Sequence, residues 1–211
     1  MKGDKKMNTI FCVMGKSSSG KDCLAKSLTK KGKITYIIPY TTRPMRPEES
    51  DGDPYFFLSE KDYQTEDIIC NTCFETVGGK WFFGFKRLTH EELDSDIPFI
   101  AVVSPKQFNM LVDIYAGLIN IIGLYIEADE EERIVHAIMR ERKKDIPDYK
   151  ELCRRFISDR EDFKHDNPDM IKMKTKNVSV ISNDYQMTID EIADEIIYTF
   201  RDLIKRNKGE F

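Results

Sequence analysis

The sequence predicts an α/β protein: a parallel β-sheet with helices on both faces, a small β-rich lobe and a charged helical hairpin. Three observations carry that prediction. A glycine- and serine-rich loop, Gly15-Lys16-Ser17-Ser18-Ser19-Gly20-Lys21, joins a short apolar run to a helical pattern. Apolar runs then alternate with helical periodicity along most of the chain, as in parallel sheets covered by helices. The one long break in that alternation, residues 39–97, is rich in aromatics and turn signals.

The first strand is expected at 9–14, where Ile10-Phe11-Cys12-Val13-Met14 is continuously apolar. The loop that follows has the composition of a phosphate cradle. Its glycines let successive N–H groups turn inward, and the next helix, expected at 21–31, adds its own unpaired N–H groups and partial positive charge. Lys21 would reach the β and γ phosphates of a nucleoside triphosphate. The residue after it is normally Ser or Thr, whose hydroxyl binds Mg²⁺; here it is Asp22. A carboxylate can ligate Mg²⁺ directly. It also suits a first helical turn, by about 0.3–1 kcal/mol.

Further strands are expected at 34–38, 98–103, 120–127 and 177–181. Helices are expected at 105–116, 129–143, 149–164 and 188–206. Within 39–97, residues 55–58 and 81–85 read as strands of a small lobe. Residues 129–165 hold two charged helices joined at Asp145-Ile146-Pro147-Asp148, a pattern that fits either a mobile flap or a solvated hairpin. The organisation is thus one domain over 1–211: a core of 7–38, 98–128 and 166–211, a lobe at 39–97 and a hairpin at 129–165.

The bulk properties narrow the partners. With 33 Lys and Arg against 37 Asp and Glu, the formal charge is −4, which argues against a general nucleic-acid surface. No apolar run is long enough for a membrane span, and the charged start Met1-Lys2-Gly3-Asp4-Lys5-Lys6 has no signal-peptide pattern. A cytoplasmic location with free thiols is expected for the five cysteines. Cys70-Asn71-Thr72-Cys73 lacks the second ligand pair that a zinc site needs. His90, His136 and His165 share no pattern and read as surface or packing residues.

The segment Tyr40-Thr41-Thr42-Arg43-Pro44-Met45-Arg46-Pro47-Glu48-Glu49, followed by Gly52, Tyr55 and Phe57, resembles the acceptor-binding signature of guanylate kinases, TTRPxRxxE followed by Gly and YxF. The spacing holds without a gap. Two arginines present planar forks of donors that suit a monophosphate, and Tyr55 adds a hydroxyl. The resemblance extends over nearly the whole chain. It implies a P-loop kinase core, an acceptor-binding lobe and a helical lid.

On that resemblance ATP would lie on Gly15, Lys16, Ser17, Ser18, Ser19, Gly20, Lys21, Asp22 and Cys23, with Asn183 at the donor adenine and Mg²⁺ on Asp22. The acceptor would lie on Arg43, Arg46, Tyr55, Glu75, Phe83 and Phe85. Lys21, Arg43, Arg142 and Arg155 would carry catalysis, with Arg140 and Arg154 as neighbouring substitutes. The implied activity is ATP-dependent phosphorylation of a nucleoside monophosphate, GMP favoured, by a monomer or homodimer without nucleic-acid or membrane partners. The chain departs from the pattern at several places. Phe83 and Phe85 replace a tyrosine and a hydroxyl residue, and the strand ending at Val103-Ser104 lacks the acids usual there. One alternative keeps the fold and phosphorylates a different nucleotide or phosphometabolite. A second is a catalytically inactive binding module of the same fold.

Overall fold

The computed structural model describes residues 7–46, 49–76 and 79–204. β1 (Thr9–Gly15) leads through the glycine-rich loop into α1 (Lys21–Gly32) and returns as β2 (Thr35–Tyr36). The lobe follows: β3 (Tyr40–Thr41), β4 (Ser50–Asp51), β5 (Pro54–Phe57), α2 (Glu60–Thr65), β6 (Ile68–Thr76), β7 (Gly79–Lys86) and α3 (His90–Leu93). β8 (Phe99–Val102), α4 (Pro105–Ile114) and β9 (Asn120–Ala128) re-enter the core. The hairpin is α5 (Glu130–Glu141) and α6 (Tyr149–Asp162). The chain continues as α7 (Pro168–Lys174), β10 (Val178–Asn183), α8 (Ile189–Thr199) and α9 (Arg201–Ile204).

The core sheet has the order β10-β9-β1-β8-β2, and every neighbouring pair is parallel. Strand side chains alternate between faces, which explains why β1 is buried along its full length. Ile10, Cys12 and Met14 belong to one apolar cluster with Phe108 and Leu111 of α4 and Met170 and Met173 of α7. Phe11 and Val13 belong to the other, with Leu24 and Leu28 of α1 and Ile192 and Ile196 of α8. Helices therefore cover both faces, as the uninterrupted apolar strand required.

Local signals set several boundaries. Ser104 and Gln107 form a capping box at the start of α4, with Pro105 at its first position. Thr188 and Glu191 do the same for α8. The helix expected at 188–206 stops at Phe200, whose φ of −102° and ψ of 20° leave the helical region. Phe200 instead stacks edge-on against Phe11 with centroids 5.5 Å apart. Residues 205–206 of that expected helix lie outside the described residues, as do 1–6, 47–48 and 77–78.

Several short or irregular elements were not legible from periodicity, α7 and β6 among them. α7 is a short helix in which only Met170 and Met173 are buried, too brief for a repeating stripe. β6 contains Cys70 and Cys73, which the sequence placed in a mixed polar segment. Its register shifts between Ile69 and Thr72, and Cys70 takes a positive φ of 54°. The bulge breaks the period of two, so strand alternation fails there.

The lobe sheet has the order β4-β5-β3-β7-β6, with β3 antiparallel to β7 and β6 antiparallel to β7. Gly84 on β7 is pinned. A Cβ there would meet Ile68 Cγ2, with Tyr63 Oη at 2.7 Å and Ile69 O at 2.8 Å. Gly84→Ala is expected to destabilise the protein by about 1–3 kcal/mol through overpacking, read by chemical denaturation. Among the described residues no helix is long and apolar enough to cross a membrane.

Candidate active site

The loop between β1 and α1 owes its shape to two residues with left-handed backbone. Gly20 has a φ of 91°, and Ser18 has a φ of 61°. A Cβ on Gly20 would stand 2.8 Å from Ile189 Cδ1, the movable tip of a side chain, so it is the left-handed φ that calls for glycine there. Asn183, at the end of β10 and 3% exposed, donates from Nδ2 to Ser19 O at 3.0 Å. Tyr185 donates from its hydroxyl to Ser18 O at 3.2 Å. Its ring stacks on His136 with centroids 4.6 Å apart, so His136 ties α5 to the segment after β10.

One cavity of about 790 Å³ connects this loop to the lobe and the hairpin. Gly15, Ser17, Lys21 and Asp22 line it from the loop, Arg43, Arg46 and Tyr55 from the lobe, and Arg140, Arg154 and Arg155 from the hairpin. The predicted donor residues do not all reach it. Lys16 and Ser19 line a separate cavity of about 80 Å³ with Arg133. Cys23 is exposed on α1, outside both.

On the lobe side, Arg43 is buried at 6% exposure. It grips Glu49 with Nη2 at 2.8 and 2.9 Å from the two carboxylate oxygens, and Nη1 donates to Pro44 O at 2.8 Å. Its guanidinium also lies over the rings of Tyr55 and Phe57, at 5.4 and 5.3 Å. Burial pulls the Glu49 carboxyl up, but hydrogen bonds from Arg43 and the Arg46 amide outweigh it and leave it below its ordinary value. Arg46 is held below the usual arginine range, first by desolvation and then by Arg155 and Arg43. Three guanidinium groups thus crowd one half-buried corner, an arrangement that a phosphate dianion would relieve.

Tyr36 and Tyr55 stand beside this corner. Burial first, and then Asp22, push both phenols up, so each stays a neutral hydroxyl at ordinary pH. Neither hydroxyl has a protein partner among the described residues, and both residues line the cavity. Tyr36 was not singled out by the sequence; nothing in a two-residue strand marks it.

The deep end of the cavity is aromatic. Phe74, Trp81, Phe83 and Phe85 line it, with Thr72 and Gln107 as polar neighbours. Phe83 packs edge-on against both Phe74 and Tyr55, at 5.5 and 5.7 Å. Glu75, expected to read the acceptor base, is not in the cavity. Strand alternation turns Phe74 inward and Glu75 outward, where its carboxylate is 80% exposed and lies 3.4 Å from Lys80 Nζ.

The hairpin also differs from expectation. Arg142 is exposed and outside the cavity, because it follows the last residue of α5. Arg140, one half-turn earlier, lines the cavity and donates to Ser18 Oγ at 3.4 Å. Arg155 lines it too, with Nε bonded to Glu151 at 3.0 Å. Glu151 is drawn down to about 2, first by its hydrogen bond from Arg154 and then by that from Arg155. The sequence missed Arg133, which is 2% exposed. It lies on the buried stripe Arg133, Ala137 and Glu141 of α5, so its helical spacing was the available signal. It donates to Ser17 O at 3.0 Å and lies over Phe156.

Asp22 suits a magnesium ion. Its carboxylate is 71% exposed and lines the cavity beside Lys21, whose Nζ is 3.7 Å away. Among the described residues no cluster of three or more His, Cys, Asp or Glu is placed to hold a metal. Mg²⁺ commonly takes one or two carboxylates and completes its shell with phosphate oxygens and water, so it is the exposed Asp22 carboxylate on the cavity wall that fits the ion.

Comparison with known proteins bears on this geometry. Residues 6–84 match the guanylate kinase family model. A guanylate kinase from Thermotoga maritima is 36% identical over 55 residues, covering 26% of this chain and 27% of that relative. One from Legionella pneumophila is 40% identical over 55 residues, 26% of each. The chain therefore matches only about a quarter of the length of these relatives. In fold the likeness runs further. The crystal structure of guanylate kinase from Anaplasma phagocytophilum superposes with a TM-score of 0.58 at 18% identity, covering 96% of this chain and 88% of that one.

Proposed function

We propose that the chain is a divergent member of the guanylate kinase family and that it transfers the γ phosphate of ATP to a nucleoside monophosphate, with GMP the favoured acceptor. The observation that supports this most is the shared cavity. A phosphate loop with its lysine, a crowded pair of lobe arginines and the hairpin arginines all face one volume of about 790 Å³. Two phosphate-bearing molecules must meet for such a transfer, and the loop and the lobe each bring their own cationic groups to the cavity.

Phosphoryl transfer requires positioning and charge neutralisation more than covalent chemistry. In the proposed reaction the loop amides and Lys21 hold the donor's β and γ phosphates. Arg43, Arg46 and the hydroxyls of Tyr36 and Tyr55 hold the acceptor phosphate, so that one of its oxygens attacks the γ phosphorus in line. Arg140 and Arg155 offset charge on the transferring group, and the closed hairpin excludes water that would hydrolyse it. Asp22 would hold Mg²⁺, which neutralises charge shared between the donor phosphates. Asp22→Ala is expected to raise the Mg²⁺ concentration needed for half-maximal rate several-fold. An unchanged Mg²⁺ dependence would remove Asp22 from the site.

A second reading is favoured by one observation. The aromatic end of the cavity is lined by Phe74, Phe83 and Phe85 and not by Glu75, the acid expected to read the base, and a site without matched hydrogen bonds discriminates poorly between bases. The same transfer to another nucleotide would fit that lining. A coupled assay of ADP release across nucleoside and deoxynucleoside monophosphates separates the two. Turnover with GMP well above every other acceptor supports the first reading, and a different leading acceptor supports the second. ATP binding without turnover on any acceptor would sink both and leave a binding module.

A further inference from the structure

The hairpin holds the phosphate loop by both faces of one peptide residue. Ser17 N–H donates to Asp159 Oδ2 of α6 at 2.7 Å. Ser17 O accepts from Arg133 Nη1 of α5 at 3.0 Å. The same Arg133 nitrogen lies 3.7 Å from Asp159 Oδ2, and the Asp159 side chain is only 14% exposed. A carboxylate from the hairpin therefore sits on an amide of a loop whose amides are arranged for anions. Both Ser17 and Asp159 line the main cavity. From the hairpin, Arg140, Arg154 and Arg155 line the same cavity together with the acids Glu151 and Asp162, but Asp159 is the one acid among these that bonds a loop amide.

A polyphosphate brought to the loop meets that carboxylate at short range. Like charges a few ångströms apart in a half-buried site repel by far more than thermal energy. The two cannot share the Ser17 amide without cost.

We propose that Asp159 is a built-in competitor for the donor phosphates: it occupies the Ser17 amide in the free protein and weakens nucleoside triphosphate binding until it is displaced. The inference rests on the reading of this loop as the donor site. Asp159 then determines donor affinity. Its effect grows with the number of phosphates, being largest for ATP, smaller for AMP and absent for adenosine. Displacing it breaks the one bond from Asp159 to the loop, while Arg133 of α5 keeps its bond to Ser17 O and the hairpin stays over the cavity.

Calorimetric titration of the full chain with ATP, ADP, AMP and adenosine in Mg²⁺ tests this, with wild type beside Asp159→Asn and Asp159→Ala. Asparagine keeps an oxygen acceptor for the Ser17 amide and removes the charge. It is expected to bind ATP about tenfold more tightly than wild type, with a smaller gain for AMP. Asp159→Ala is expected to show the same ordering, together with faster hydrogen exchange in α6 before any nucleotide is added. A merely structural role would move the exchange but not the dependence on phosphate number. If wild type binds ATP and both variants bind it no more tightly, the competitor role is wrong while the donor site stands. If no form binds any nucleoside triphosphate, the donor reading itself fails and this inference falls with it.

Discussion

Lys21→Met is expected to lower phosphoryl transfer by about 10²–10³-fold, the effect of removing one preorganised donor from developing charge. The residue is well placed for so large an effect. Its side chain is 22% exposed, opens into the main cavity at the start of α1, and pairs with Asp22 at 3.7 Å. It supports no part of the core, so thermal unfolding of the variant should match wild type. Steady-state kinetics in the ADP-release assay check the first half and calorimetry the second. Retained turnover in Lys21→Met would mean that the loop does not hold the donor.

The second large effect falls on stability and binding together. Arg43 and Glu49 form an ion pair whose side chains are 7% and 10% exposed. Arg43→Ala would leave the Glu49 carboxylate buried without its bidentate partner, a loss of about 3–5 kcal/mol. The same substitution removes a guanidinium from the acceptor corner. Because both effects follow from one change, Arg43→Ala alone cannot separate them. Replacing Arg43 and Glu49 together by leucine restores much of the stability, since a packed apolar pair avoids the desolvation of two charges. Acceptor binding should stay lost. Arg46→Ala provides the complementary arm. The Arg46 side chain is partly exposed, and its guanidinium Nη1 lies 3.9 Å from Glu49 Oε1. Its loss should raise the acceptor KM by tenfold or more, at about 1–3 kcal/mol for a charged hydrogen bond, with little change in unfolding. An unchanged acceptor KM would place the acceptor phosphate elsewhere.

Much of the core was legible because its signals are local and uninterrupted. Five apolar runs became the five parallel strands, most plainly at the centre, where β1 is buried on both faces and is apolar from Ile10 to Met14. The glycine-rich loop was legible because Gly20 and its neighbours must adopt backbone that few sequences allow. Where local pattern was broken, reading failed. The bulge at Cys70 hid β6, and the brevity of α7 hid a helix that nonetheless covers one face of the sheet. Arg142 was preferred to Arg140 because spacing in sequence is blind to where a helix ends and which way each side chain leaves it. Glu75 was preferred for its charge, but one step along a strand reverses the face.

The amino-acid sequence by itself determined the architecture, the phosphate loop and the arginine-rich lobe segment. Each depends on residue types at short, fixed separations, which backbone sterics and burial translate directly into shape. The tertiary structure alone decided which charges meet. Arg133, Asp159 and Ser17 are brought together from two hairpin helices and a distant loop, and Arg43 is committed to Glu49 before any ligand arrives. Electrostatic energy depends on distance and burial, neither of which is written in sequence separation. The Ser17 amide of the glycine-rich loop is therefore found already holding a carboxylate of the protein's own.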